Sequence, residues 1–254
     1  ALELDPEYVY AFNQRGYNKQ SLGDHAGAID DFSKALELDP EYVYAFSNRG
    51  FSKQRLGDHA GAIDDFSKAI ELDPEYVYAF NTRGFSKQNL GDHAGAIDDY
   101  SKALELDPEY VYGYISRASL KSELGEIDSA LLDLKRALEF AEDKQTKFDI
   151  ISSKMDLYTR IGNYTQLPSL ITTAKNINID KSNKSIFQAT ILYFEAVYNS
   201  SIGNRRKALL LLEEGLSIFS SLNQKDHYMA KISKSYLTGI YIDMGEYKKA
   251  KELI

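Results

Sequence analysis

The sequence predicts an all-α solenoid built from stacked antiparallel helix pairs. Three observations carry this. DPEYVYAF stands at Asp5–Phe12, Asp39–Phe46 and Asp73–Phe80, and returns as DPEYVYGY at Asp107–Tyr114, always 34 residues on. Within each copy the apolar residues recur at three- and four-residue steps, the period of an amphipathic helix. Beyond residue 141 a helix–glycine–helix rhythm continues with glycines at 162, 203 and 245. A fixed period of this length means a repeat architecture, in which each unit completes the core of its neighbours.

The elements follow in order. Asp39 is suited to cap a first helix, with Pro40 at its first position and Glu41 near the positive end of its dipole. That helix is expected to run to about Arg55. Gly57 then supplies a left-handed turn. Asp58 caps a second helix through AGAIDDFSKAIEL, with Ala60, Ile63, Phe66, Ala69 and Ile70 as its buried stripe. Small residues at Gly50, Ala60 and Ala69 should let helices approach closely. The predicted units are 5–38, 39–72, 73–106 and 107–140. Residues 141–254 read as about three divergent hairpins of 41–42 residues, the last cut short, with Pro168 tolerated in a first helical turn. The opening ALELDP closes a unit elsewhere in the chain, and KKAKELI reads as mid-helix, so a piece of a longer protein is expected.

This pattern resembles the tetratricopeptide repeat (TPR) family. The resemblance rests on Gly16, Gly23, Ala28, Phe32, Ala35 and Pro40, on their equivalents 34 and 68 residues later, and in the fourth unit on Gly125, Ala130, Leu134 and Ala137. Lys19, Lys53, Lys87 and Lys121 depart from it, standing where the common form has an aromatic. His25, His59 and His93 stand where it often has Tyr. The longer repeats resemble the extended repeats of bacterial regulatory TPR proteins. The resemblance implies a right-handed superhelix whose first helices line a concave groove.

Composition narrows the function classes. Of 254 residues, 43% are hydrophobic, enough to form a core. No apolar run reaches the roughly 20 residues that span a bilayer. There is no cysteine, which removes disulfides and thiolate chemistry without fixing a compartment. The net charge of −8 argues against nucleic acid as a partner. Residues 1–140 hold 26 acids and 14 Lys and Arg, net −12, whereas residues 141–254 hold 12 acids and 16 Lys and Arg, net +4. The halves are therefore expected to face different surroundings, or each other's counterparts in an oligomer.

Catalytic patterns are missing: no P-loop, GxGxxG, GxSxG or HExxH is present. One histidine per unit (His25, His59, His93) gives a ladder too widely spaced to share a metal, so these residues are expected to be structural at the interhelical turn. The pairs Asp30/Asp31, Asp64/Asp65 and Asp98/Asp99 are expected on a solvated acidic outer face. No catalytic residue, cofactor or metal site is predicted. Tyr8, Tyr42, Tyr76 and Tyr110 are expected to pack between repeats.

From the resemblance, the groove lining is expected in four rows. Tyr10, Tyr44, Tyr78 and Tyr112 form the first. Asn13, Ser47 and Asn81, with Ile115, form the second. Tyr17, Phe51 and Phe85, with Ser119, form the third. Gln20, Gln54 and Gln88, with Ser21, Arg55 and Asn89, form the fourth. Independent support comes from the differences between units one and two: Asn13/Ser47, Gln14/Asn48, Tyr17/Phe51, Asn18/Ser52, Ser21/Arg55 and Leu36/Ile70. Five of these six lie on the first helix, as expected for an adjustable inner face on a fixed frame. Chaperone-binding members grip a carboxylate with Lys, Asn and Arg. Asn48 matches one such position, but Asn13, Tyr78 and Thr82 fill the cationic ones, so that clamp is absent. The expectation is a non-enzymatic scaffold binding a peptide or partner protein in the groove. The alternatives are a sensory repeat region of a larger signalling protein and an array that self-associates end to end.

Overall fold

The computed structural model describes residues 6–178, 184–224 and 226–253. Among them there are fourteen α-helices and no strand. The chain divides into two compact units, Ala1–Phe140 and Ala141–Ile254.

Unit 1 contains α1 (Pro6–Ser21), α2 (His25–Leu38), α3 (Val43–Arg55), α4 (His59–Leu72), α5 (Val77–Asn89), α6 (His93–Leu106), α7 (Val111–Glu123) and α8 (Ile127–Phe140). Each odd helix pairs with the even helix after it, and each even helix packs on the odd helix of the next pair. Successive odd helices α1, α3, α5 and α7 also touch, so they form one face of a stack. The turn inside each pair depends on a left-handed residue. Gly57 has φ 86°, and its equivalents repeat that geometry. Asp24, Asp58 and Asp92 then cap the even helices, accepting from the N–H of Gly27, Gly61 and Gly95 at 2.9, 2.9 and 3.0 Å.

The odd helices after α1 start later than expected. α3 begins at Val43 rather than at Asp39–Pro40, and α5 and α7 likewise begin at Val77 and Val111. Asp39 is engaged elsewhere. Its N–H closes α2 on the carbonyl of Ala35 at 2.8 Å, and its carboxylate accepts from the Glu41 N–H at 3.0 Å. Residues 39–42 therefore form a turn stabilised by an Asx contact.

The core of unit 1 is small-residue packing around one large side chain of each even helix, a ring in α2, α4 and α6 and Leu134 in α8. Phe32, Phe66 and Tyr100 are fully buried with Ala28, Ala62 and Ala96 beside them. Ala62, not Ala60, is the buried small residue of the second helix; Ala60 is exposed. Gly16 faces Phe32 so closely that an added Cβ would lie 2.7 Å from its Cε1.

Unit 2 contains α9 (Lys144–Arg160), a 3-10 turn at Tyr164–Gln166, α10 (Leu167–Asn176), α11 (Lys184–Ser201), α12 (Arg205–Ser221), α13 (Tyr228–Asp243) and α14 (Tyr247–Leu253). α11 is central and buried nearly all round, from Phe187 through Tyr193, Phe194 and Val197 to Asn199. α9, α10, α12 and α13 all pack on it.

Candidate binding face

The face formed by α1, α3, α5 and α7 is held in place by a charge network. Arg49 donates from Nε and Nη2 to Asp65 at 2.9 and 2.7 Å, a bidentate fork. Lys53, one turn on, reaches the same carboxylate at 2.8 Å. The guanidinium lies 5.6 Å over the Phe46 ring and donates from Nη1 to Ser33 Oγ of the preceding pair at 3.2 Å. Arg15–Asp31–Lys19, Arg83–Asp99–Lys87 and Arg117–Asp133–Lys121 repeat the arrangement. The hydrogen-bonded Arg15 guanidinium holds the Asp31 carboxyl below its ordinary range, against the opposing effect of burial.

This network corrects the expectation of a solvated acidic face. Asp31, Asp65 and Asp99 are only 3–4% exposed. Their neighbours Asp30, Asp64 and Asp98 do face solvent. It also explains the lysines that replace the usual aromatic, because each is the second cation on a buried carboxylate. His25, His59 and His93 open the even helices at the turn. Their Nδ1 atoms are sealed from solvent without a hydrogen-bond partner. Among the described residues no cluster of potential metal ligands occurs.

On the face itself, the aromatic rows are the accessible ones. Tyr10, Tyr17, Tyr44, Tyr78, Phe85 and Tyr112 are exposed large rings, and Phe51 is half-buried. Tyr44 sits 6.0 Å from both Tyr42 and Tyr76, edge to face. Tyr76 is 6.1 Å from Tyr78, and Tyr110 is 6.1 Å from Tyr112. Tyr42, Tyr76 and Tyr110 are half-buried between the pairs, whereas Tyr8 is 62% exposed, contrary to the expected packing. The spacing of the two tyrosines in EYVY is the signal that both belong to one ladder. Burial raises the phenols of Tyr42, Tyr76 and Tyr110 above their ordinary range and pushes Tyr78 up to about 12. These four phenols are therefore neutral near pH 7, with hydroxyls able to donate and accept.

The polar rows are mostly committed within the fold. Ser47 is 1% exposed, and Asn13 and Asn81 are also buried, so this row presents little surface. Asn48 donates to Asn13 at 3.2 Å. Gln20 stitches one pair to the next by donating to the Asn48 carbonyl at 3.0 Å and to Ser52 Oγ at 2.9 Å. Gln54 does the same to the Thr82 carbonyl and Ser86 Oγ at 3.1 and 2.8 Å. The third junction differs. Leu120 replaces the serine, and Gln88 turns to Glu123 at 3.1 Å while accepting from the Tyr100 hydroxyl at 2.9 Å. Asn89 and Arg55 lie exposed at the end of their helices, Asn89 donating to the Phe85 carbonyl.

The odd helices of this stack thus present an aromatic row along one face. Residues 43–76 and 77–110 match the tetratricopeptide repeat model, and residues 19–57 match the TPR repeat model. Residues 19–110 are thus similar to tetratricopeptide repeats. No curated protein matches the chain. Among solved structures it is similar to the first TPR of Spaghetti (RPAP3) bound to the HSP90 peptide SRMEEVD, at 25% identity and TM-score 0.47 over 49% of this chain and 99% of that one. It is also similar to the first TPR domain of human RPAP3, at 26% identity and TM-score 0.46 over 48% and 95%. The second TPR domain of human RPAP3 in complex with the HSP70 peptide SGPTIEEVD follows at 23% identity and TM-score 0.44 over 45% and 96%.

Proposed function

We propose that unit 1 is a non-enzymatic scaffold that holds an extended peptide segment of a partner protein along the aromatic row of its odd helices. The observation that carries this is the ladder of exposed Tyr44, Tyr78 and Tyr112 braced by half-buried Tyr42, Tyr76 and Tyr110, on a frame locked from behind by buried ion networks. Rings fixed in this way offer large contact area at little entropic cost, and their hydroxyls can bond a peptide backbone. The peptides of the RPAP3 structures end in EEVD. An acidic end of that kind meets no cation at Asn13, Tyr78 or Thr82, and it meets a repeat region of net −12. The segment favoured here is neutral or basic and rich in apolar side chains.

Peptides selected from a displayed random library on the full chain test this reading. Replacing Tyr44, Phe51, Tyr78 and Phe85 together by Ala should weaken the selected peptides more than about tenfold while circular dichroism stays helical. Unchanged affinity in that variant would refute the aromatic row as the site.

A further inference from the structure

Unit 2 holds a cavity of about 460 Å³, a volume typical of small-ligand sites, among α9, α11 and the start of α13. Phe148 and Phe187, with ring centroids 4.1 Å apart, form its apolar wall together with Ile186 and Met229. The polar groups that line it are unusual in what they leave free. Asp149 accepts from Gln145 at 2.9 and 3.0 Å, and no Lys or Arg pairs with it among the described residues. Ser152 lies three residues further on, on the same face of α9. Its Oγ is sealed from solvent and makes no hydrogen bond. Across the cavity the Thr190 hydroxyl donates to the Ile186 carbonyl at 3.0 Å, which leaves its lone pairs open. The His227 Nδ1 already accepts from the Met229 N–H.

The free capacity is thus one carboxylate and two hydroxyl oxygens beside aromatic rings. An ammonium group has three donors and no acceptor, and aromatic faces attract it further. We propose that this cavity binds a primary ammonium on an apolar chain, with Asp149 and Thr190 taking two of its N–H bonds, the Ser152 hydroxyl turning about χ1 to take the third, and Phe148 and Phe187 covering the chain. The orphaned Ser152 hydroxyl is costly to keep in a folded protein, and this ligand satisfies it, while the exposed Asp149 carboxylate supplies the charge at the cavity mouth. Burial raises the Asp149 carboxyl above its ordinary range, consistent with a carboxylate lacking its partner. The site is independent of the aromatic row of unit 1.

The chain has three methionines, and of these only Met229 lines the cavity. Methyl-labelled methionine therefore gives a local reporter by NMR. Titrating n-hexylamine into the full chain should move the Met229 signal and leave Met155 and Met244 in place. Hexanol should bind at least about tenfold more weakly, the ratio expected for a hydrogen bond to a charged group. Asp149→Asn should reduce hexylamine binding by about tenfold or more, and Ser152→Ala by less. Persistence of three dispersed methionine signals shows that a variant is folded. The fourfold aromatic-row variant should leave the Met229 response unchanged, which separates this site from the one in unit 1. An acetylated Leu-Lys-Leu amide distinguishes the source of the ammonium. Binding tighter than hexylamine assigns the site to a lysine side chain of a protein, and weaker binding assigns it to a free amine. A silent Met229, equal binding of hexanol, or full affinity in Asp149→Asn would overturn the proposal.

Discussion

Units 1 and 2 are both stacks of helix pairs, yet they fix their helices by different physics. In unit 1 the fully buried rings are few, Phe32, Phe66 and Tyr100, and a carboxylate gripped by Arg and Lys joins the two helices of each pair. In unit 2 the ion pairs sit on the surface, as in Lys231–Asp226 and Lys249–Glu246, and α11 supplies apolar side chains in almost every direction. Near-identical repeats cannot use shape to define their own register, because every second helix offers the same surface. A charge network with partners 16 residues apart sets the register within each pair instead. Divergent repeats need no such device, since each hairpin of unit 2 has its own shape.

The largest effect that would break this contrast comes from Asp65→Ala. It leaves Arg49 and Lys53 without their carboxylate in a largely buried setting, and the expected loss is about 3 kcal/mol. Hydrogen exchange under urea, read separately over each unit, checks it. Asp64→Ala, on the exposed neighbour, should stay within about 0.5 kcal/mol.

Glycine substitutions sharpen the same comparison. A Cβ at Gly84 would lie 2.8 Å from Tyr100 Cε1 and 3.2 Å from the Ala96 carbonyl, so Gly84→Ala should cost about 1–3 kcal/mol. A Cβ at Gly239 in α13 meets nothing within 4 Å, and Gly239→Ala should stabilise by about 0.5–1 kcal/mol through helix propensity. Denaturation midpoints give both signs.

Acid should act oppositely on particular groups of the two units. Asp31 has a lowered pKa through its hydrogen bond to Arg15, so its contribution is present above the ordinary value of 3.8 and lost as pH falls below it. Asp149 and Asp156 are raised by desolvation, so the native state binds their protons first and gains stability as pH falls through that raised range towards 3.8. Asp143, lowered by its cap contact with Thr146, opposes them within unit 2. Replacing Asp149 and Asp156 by Asn should remove the gain, as read from exchange rates of α9 between pH 6 and pH 4.

A modest effect is expected of Tyr100→Phe. It removes one hydroxyl from Gln88 and should cost about 1 kcal/mol. The same exchange is already present between units, since Phe66 occupies the equivalent position.

The features legible in the sequence were the local ones. The glycine turns, the Asp caps of the even helices and the pairing of helices depend on neighbours a few residues apart. Two features were not legible. Asp39 looked like a helix start because Asp-Pro-Glu suits one, but the same residue ends α2, and a single N–H and carboxylate cannot be inferred twice. Asp65 looked solvated because its charge and its polar neighbours are visible locally, while its two cations lie on another helix. On the face of the odd helices the exposed aromatic rows followed from position in the repeat. The amide rows did not, since whether Gln20 or Asn48 is free depends on the carbonyl and hydroxyl that the next pair brings opposite it.

The serine that each pair lends to the arginine of the next has a genetic consequence. Ser33, Ser67 and Ser101 accept from Arg49, Arg83 and Arg117 at 3.2, 3.1 and 3.0 Å. Donor and acceptor both recur with the period of the array. Unequal crossing-over that adds or removes a whole unit therefore re-creates this joint at the new boundary without further mutation. The fourth unit is the exception. With Leu120 where Ser52 and Ser86 stand, a copy of it placed after the first unit would leave Gln20 without its hydroxyl. The first three units are interchangeable at this joint, and the fourth is not.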